Sequence, residues 1–176
     1  MNQVRRTILL TSFATWEPHQ LSNASDDLLA EFLKTKPLSA DLHVLRQLPV
    51  DFQLAPEKAI AHFNQLQPDV ILCCGMAQSR TKLSVESRGV NGSKVLKTKI
   101  NLDYLVSDLT ITEISHDAGQ FVCNWIYYSM LKHLQEQNSN HYCLFVHVPI
   151  LTSENLTPLL ADFRLIIERI LILSQL

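Results

Sequence analysis

The chain reads as an α/β protein, a three-layer α/β/α sandwich around a mostly parallel, twisted sheet. Three observations predict this. Short apolar runs of strand character alternate with longer helix-compatible runs, the pattern of a parallel sheet with crossover helices. A length of 176 residues suits one domain, 1–176, with a substantial core. Charged residues make up only 18%, below the usual quarter or so, which calls for extra buried surface in a large sheet or a subunit contact.

Strands are predicted at 5–12, 41–47, 69–74, 83–90, 110–115 and 142–148, and helices near 22–34, 56–66, 120–136 and 158–174. The first strand contains the apolar stretch Thr7–Leu10, which is too short, and turns polar too soon, to be a signal peptide. The second helix opens on Pro56-Glu57, with proline and an acid in its first turn. Strand 69–74 holds the apolar run Val70–Cys74, and strand 83–90 begins Leu83-Ser84-Val85-Glu86. Thr110–Ser115, with Ile111, Ile114 and two threonines, reads as a strand. His116-Asp117-Ala118-Gly119 reads as a turn, and the helix after it is free of Gly and Pro. Tyr142–Val148 is an apolar run stopped by Pro149, hence a buried strand. Thr157-Pro158 gives the last helix an N-cap followed by proline at the first helical position. Apolar residues wrap around much of that helix, but Asp162, Arg164, Glu168 and Arg169 interrupt them, so it is not a membrane span. The expected covers are the sheet on one side and a second subunit, in a homo-oligomer, on the other.

Net charge is −2, which gives no hint of a nucleic-acid partner, and Lys94, Lys97 and Lys99 read as a solvated loop. The four cysteines, Cys73, Cys74, Cys123 and Cys143, form no CxxC pair and have no clustered histidines, which argues against a structural zinc. With no signal-peptide-like stretch, a reduced, cytoplasmic setting is expected, with no membrane partner. Cys73 and Cys74 should point to opposite faces of their strand as packing residues.

Three residues carry candidate chemistry. Cys123 falls in or near the first turn of a helix, where unpaired N–H groups and the helix dipole favour a thiolate. His147 closes a strand, and Glu86 places a carboxylate in another. Thiol, imidazole and carboxylate are the parts of a nucleophile, a base and a group that orients the base. Each has a plainer reading when taken alone: a packing cysteine, a hydrogen-bonded structural histidine, an exposed glutamate. Cys143 shares a strand face with His147, but four strand residues separate them by about 13 Å, so the imidazole must serve another element.

Around these residues the chain resembles the pyroglutamyl peptidase I (pyrrolidone-carboxylate peptidase) family of cysteine peptidases. Ala118-Gly119-Gln120-Phe121-Val122-Cys123-Asn124 is similar to the family's nucleophile motif, and His147-Val148-Pro149 to its histidine motif. Val85-Glu86-Ser87-Arg88-Gly89-Val90-Asn91 matches its acid segment in part. Leu9-Leu10-Thr11-Ser12-Phe13 resembles its opening strand, and Asn23-Ala24-Ser25 stands where it has Asn-Pro-Ser. The matches run in order from about residue 7 to 149.

There are departures. Trp16 replaces a phenylalanine of the first loop, whose glycines are gone, and the arginine expected after the acid is Ser87, with Arg88 one place late. Gly75-Met76 stands for Gly-Gln, and Val50 for a threonine. The 91–110 segment is short, lacking a loop like Asp-x-x-Ile-Pro-Asp-Asn and a further helix, so one pocket wall is missing or rebuilt. The resemblance implies a hydrolase that removes an N-terminal pyroglutamyl group from peptides or small amides. Cys123 would be its nucleophile, His147 its base and Glu86 the orienting acid. Phe13, Trp16, Phe121 and Val122 would form apolar walls, with no metal or organic cofactor. The alternatives are a related thiol hydrolase for a different lactam or acyl substrate, and a non-catalytic member that binds a ligand or partner.

Overall fold

The computed structural model describes residues 5–174. In chain order the elements are β1 (Arg6–Phe13), α1 (Ala24–Phe32), β2 (Ala40–Leu48), α2 (Leu54–Leu66), β3 (Val70–Met76), β4 (Leu83–Glu86), β5 (Arg88–Asn91), β6 (Lys94–Lys97), α3 (Leu102–Val106), β7 (Thr112–Ser115), α4 (Val122–Glu136), β8 (Tyr142–Val148) and α5 (Leu156–Leu173). Six strands form the central sheet in the order β2-β1-β3-β8-β4-β7. Strands β2, β1, β3 and β8 are parallel neighbours. β4 pairs antiparallel with β8 and parallel with β7, so the last two strands run the other way.

Alternation along the strands divides the core in two. Val70, Leu72 and Cys74 face the layer that contains α1 and α5, whereas Ile71 and Cys73 face α2 and α4. Phe63, Phe145, Phe163 and Tyr127 are completely buried, each worth about 1.5–3 kcal/mol by burial alone. Tyr127 keeps a partner for its hydroxyl, which donates to the Glu86 carbonyl at 2.9 Å.

The expected strand 83–90 is two strands. It breaks at Ser87, after which β5 pairs with β6 in a separate hairpin. The hairpin turns through Gly92, at φ +58°, in a two-residue connection that favours glycine. It lies against α4 so closely that a Cβ on Gly89 would stand 2.7 Å from the Tyr128 amide nitrogen. Asn124 clamps it there, accepting from the Val90 N–H at 2.8 Å and donating to the Val90 carbonyl at 2.7 Å.

Two other expectations need correction. α5 starts at Leu156, two residues early, and Pro158 sits in its first turn, where its missing N–H costs no helical bond. The apolar residues that wrap around α5 meet α1 and α3 as well as the sheet, while Leu165 and Ile172 stay exposed. Asp162, read as a polar interruption, is buried on α5. It accepts from the Ile111 N–H and the Thr112 hydroxyl, both at 2.8 Å, and so ties α5 to the start of β7. Among the described residues no helix is long and apolar enough to cross a membrane.

Candidate active site

Strands β1, β3 and β8 end side by side, and a cavity of about 110 Å³ opens over their carboxyl ends. Active sites of open α/β sheets gather at that edge. Phe13, Trp16, Phe121 and Val122 all line the cavity, and so do Cys123 and His147. Val50, Met76, Asn23 and Ala118 complete the wall. None of the lining residues comes from 91–110, so the short segment leaves this side to Trp16 and Phe121, whose rings approach to 6.1 Å. Phe52, outside the family motifs, meets Phe121 edge-on at 5.8 Å and supports it from behind.

Local structure places each side chain. Gly119, at φ +78°, donates its N–H to Asp117 Oδ1 at 2.9 Å and turns the chain toward α4. Phe121 is the extended N-cap residue, and no side chain caps the helix. The first intrahelical bond runs from the Trp125 N–H to the Phe121 carbonyl. The amides of Val122, Cys123 and Asn124 therefore have no carbonyl partner inside the helix, beside the thiol. Gly75 of β3 lies opposite His147 in the sheet register. A Cβ there would meet Cys123 Sγ at 2.5 Å and the Phe145 ring at 2.7 Å, so glycine makes room for the thiol.

His147 is buried, with its ring 4.9 Å from that of Phe145. Its Nδ1 lies 2.7 Å from Glu86 Oε1. An ionised carboxylate only accepts, so Nδ1 carries the hydrogen and Nε2 keeps its lone pair. Glu86 is completely buried. It reaches His147 diagonally across the antiparallel β4–β8 pair, where its direct partner is Phe145. Sγ of Cys123 and the imidazole share the cavity wall without a hydrogen bond to each other. An imidazole held in this way can take a proton at Nε2, and such contacts often tighten only when substrate is bound.

Burial works against the thiolate expected at Cys123. The residue as a whole is half-buried, yet nearly everything around Sγ is protein. Burial, then the neighbouring Cys73 and Glu86, push its pKa up to about 12, against smaller opposing effects of its own N–H and of Arg80. Desolvation outweighs the helix terminus, and the thiol is neutral near pH 7.

The sequence reading missed Arg80. Its Nη1 forms an ion pair with Glu86 Oε1 at 2.9 Å, and its Nη2 donates to the Asp117 carbonyl at 2.8 Å. Arg88, the nearer candidate in sequence, instead donates from Nε to the His116 carbonyl at 2.8 Å. Ser12, which stands in a glycine position of the resembling motif, donates to Asp26 Oδ1 at 2.6 Å and accepts the Gln47 N–H at 3.2 Å. Asp26 is held further by both ends of the Arg46 guanidinium, at 2.8 and 2.9 Å. Asn23 caps α1 and donates to the Ala14 carbonyl at 3.0 Å, which fixes the loop carrying Trp16.

A model of the pyroglutamyl peptidase family matches residues 105–159, a span that contains Cys123 and His147. A pyrrolidone-carboxylate peptidase of Bacillus cytotoxicus is 24% identical over 200 residues, covering 93% of this chain and 92% of its own. One of Brachyspira hyodysenteriae is 27% identical over 141 residues, covering 65% of this chain and 70% of its own. Among solved structures, pyrrolidone carboxyl peptidase of Fervidobacterium islandicum superposes with a TM-score of 0.83 at 21% identity, covering 94% of this chain and 98% of that one. Pyroglutamyl peptidase I of Bacillus amyloliquefaciens gives 0.79 at 17%, covering 92% of each. Family model, relatives and solved structures converge on one similarity: the chain is similar in sequence to the pyroglutamyl peptidases and shares their fold.

Proposed function

We propose that the protein is a cysteine peptidase that removes an N-terminal pyroglutamyl group from peptides or small amides. The observation that carries the reading is the buried Glu86–His147 pair, at 2.7 Å, with its imidazole in the same small apolar cavity as Cys123. An apolar cavity of about 150 Å³ is known to hold benzene, so one of about 110 Å³, open on one side, suits a five-membered lactam. The lactam carries no ammonium, and none of the cavity-lining side chains is an acid that would pair with one.

In this reading His147 Nε2 takes the proton of the Cys123 thiol as Sγ attacks the carbonyl that follows the lactam ring. Glu86 holds the ring by its Nδ1–H and stabilises the imidazolium that forms. The oxyanion meets backbone N–H groups at the start of α4, Cys123 among them, which no side chain caps. Imidazolium then protonates the leaving amine, and the pyroglutamyl thioester is hydrolysed by water that the same imidazole activates. Four free cysteines, three of them fully buried, suit a reducing compartment, and we assign the protein to the cytoplasm.

Hydrolysis of pyroglutamyl, prolyl and alanyl coumarin amides tests the substrate. The pyroglutamyl amide should be cleaved and the other two left intact. Cleavage of the prolyl or alanyl amide at a comparable rate would overturn the lactam assignment and favour a thiol hydrolase of other specificity.

A further inference from the structure

We infer that Arg80 is a positioning residue for this reaction: it fixes Glu86 and, through Glu86, the imidazole of His147. The inference rests on the roles proposed above for Cys123, His147 and Glu86. A completely buried carboxylate needs an opposite charge in fixed geometry, because an unpaired one protonates or turns away. Arg80, from the loop between β3 and β4, supplies both. One nitrogen of its planar guanidinium makes an ion pair with Glu86 Oε1 at 2.9 Å, and another donates to the Asp117 carbonyl at 2.8 Å. Two anchors on one rigid plane prevent it from rotating.

The oxygen that pairs with Arg80 is the same one that meets Nδ1 of His147. Oε2 has no partner among the described residues. The carboxyl is therefore oriented through a single oxygen, shared by one permanent cation and one imidazole. The groups facing the imidazole are Glu86 from β4, Arg80 beside it and Cys123 from α4, with Cys73 of β3 next to the thiol. Removing Arg80 leaves Glu86 buried without its permanent cation, and the imidazole loses its fixed tautomer and orientation.

The test compares wild type, Arg80→Gln, Arg80→Lys, Glu86→Gln and the double variant Arg80→Gln/Glu86→Gln. Hydrolysis of the pyroglutamyl coumarin amide and the rate of Cys123 alkylation by iodoacetamide are both measured, with thermal unfolding to confirm folding. Arg80→Gln should lower kcat about 10- to 100-fold, less than the ~10⁴-fold loss seen when a base-orienting acid is replaced by its amide. KM should stay within about twofold, since Arg80 does not touch substrate. Arg80→Lys keeps the charge without the fork and should fall between. In the Glu86→Gln background Arg80→Gln should cost no more than about twofold, because the coupling runs through the carboxylate. If Arg80→Gln does not fold, Arg80→Lys in the same two backgrounds decides. Should wild type leave the pyroglutamyl amide intact, the substrate reading fails, and the alkylation rates still test Arg80 by the same ordering. Equal losses in both backgrounds, or Arg80 variants that match wild type, would overturn the inference.

Discussion

At the scale of single residues, burial favours the neutral thiol of Cys123, the proposed nucleophile. Burial pushes its pKa up to about 12, so in the proposed mechanism its reactivity near pH 7 depends on His147 as base. In His147→Ala, alkylation of Cys123 by iodoacetamide should become negligible near neutrality and rise only in strongly alkaline solution, whereas wild type should react at neutral pH. Equal rates at pH 7 would remove His147 from this role. The sign for stability follows from the same raised value: burial of the neutral thiol stabilises the fold fully below the ordinary thiol range, and this contribution is lost as pH rises toward 12. Gly75 is as constrained as the thiol. Gly75→Ala inserts a methyl group 2.5 Å from Sγ and should lower kcat at least about 10-fold, with about 1–3 kcal/mol of overpacking in unfolding experiments. A kcat equal to wild type would show that the floor of the cavity yields. The meeting of Cys123, His147 and Glu86 was legible because local motifs surround them. Gly75 and Arg80 were not, since one is a glycine in an apolar strand and the other a loop arginine. Their meaning comes from Sγ and a carboxylate that distant parts of the chain bring close.

At the scale of elements, the 91–110 segment leaves the cavity to other parts of the chain. It forms a hairpin clamped to α4 and the short helix α3, and none of its residues reaches the cavity. Trp16 lines the cavity beside Phe121. Trp16→Ala should raise KM for the pyroglutamyl amide about 10-fold, from the ~1–2 kcal/mol of an aromatic contact and the apolar cover it gives. An unchanged KM would show that Trp16 does not close the site. The hairpin itself was hidden in the sequence. Leu83 to Val90 has uniform strand character, and the break at Ser87 is set by the departure of β5 onto α4, which tertiary contacts decide rather than propensity. The early start of α5 has a similar origin, since a proline fits the first turn of a helix as well as its first position.

At the scale of the molecule, the alternation of strands and helices and the apolar runs Val70–Cys74 and Tyr142–Val148 made the three-layer sheet legible. The reversed direction of β4 and β7 was not, because a four-residue strand carries no mark of its direction. The first loop is secured by the Asp26 cluster, and that gives the molecule an acid-sensitive point. Burial disfavours the charged carboxyl of Asp26, but bonds from Arg46, Ser12 and Gln47 outweigh it and hold its pKa below the ordinary 3.8. Its contribution to stability is complete above that value and is lost as the pH falls below it. Thermal unfolding should show wild type losing more of its midpoint than Asp26→Asn between pH 6 and pH 3. Equal losses would mean that other carboxylates set the acid limb. The central claim is that Cys123 becomes acylated by the pyroglutamyl group. Acid-quenched wild type, mixed with a pyroglutamyl amide and examined by intact-protein and peptide mass spectrometry, should carry one pyroglutamyl group on the peptide containing Cys123, and Cys123→Ser should neither carry it nor turn over. An acyl group mapped to another cysteine, or turnover that survives in Cys123→Ser, would contradict the account.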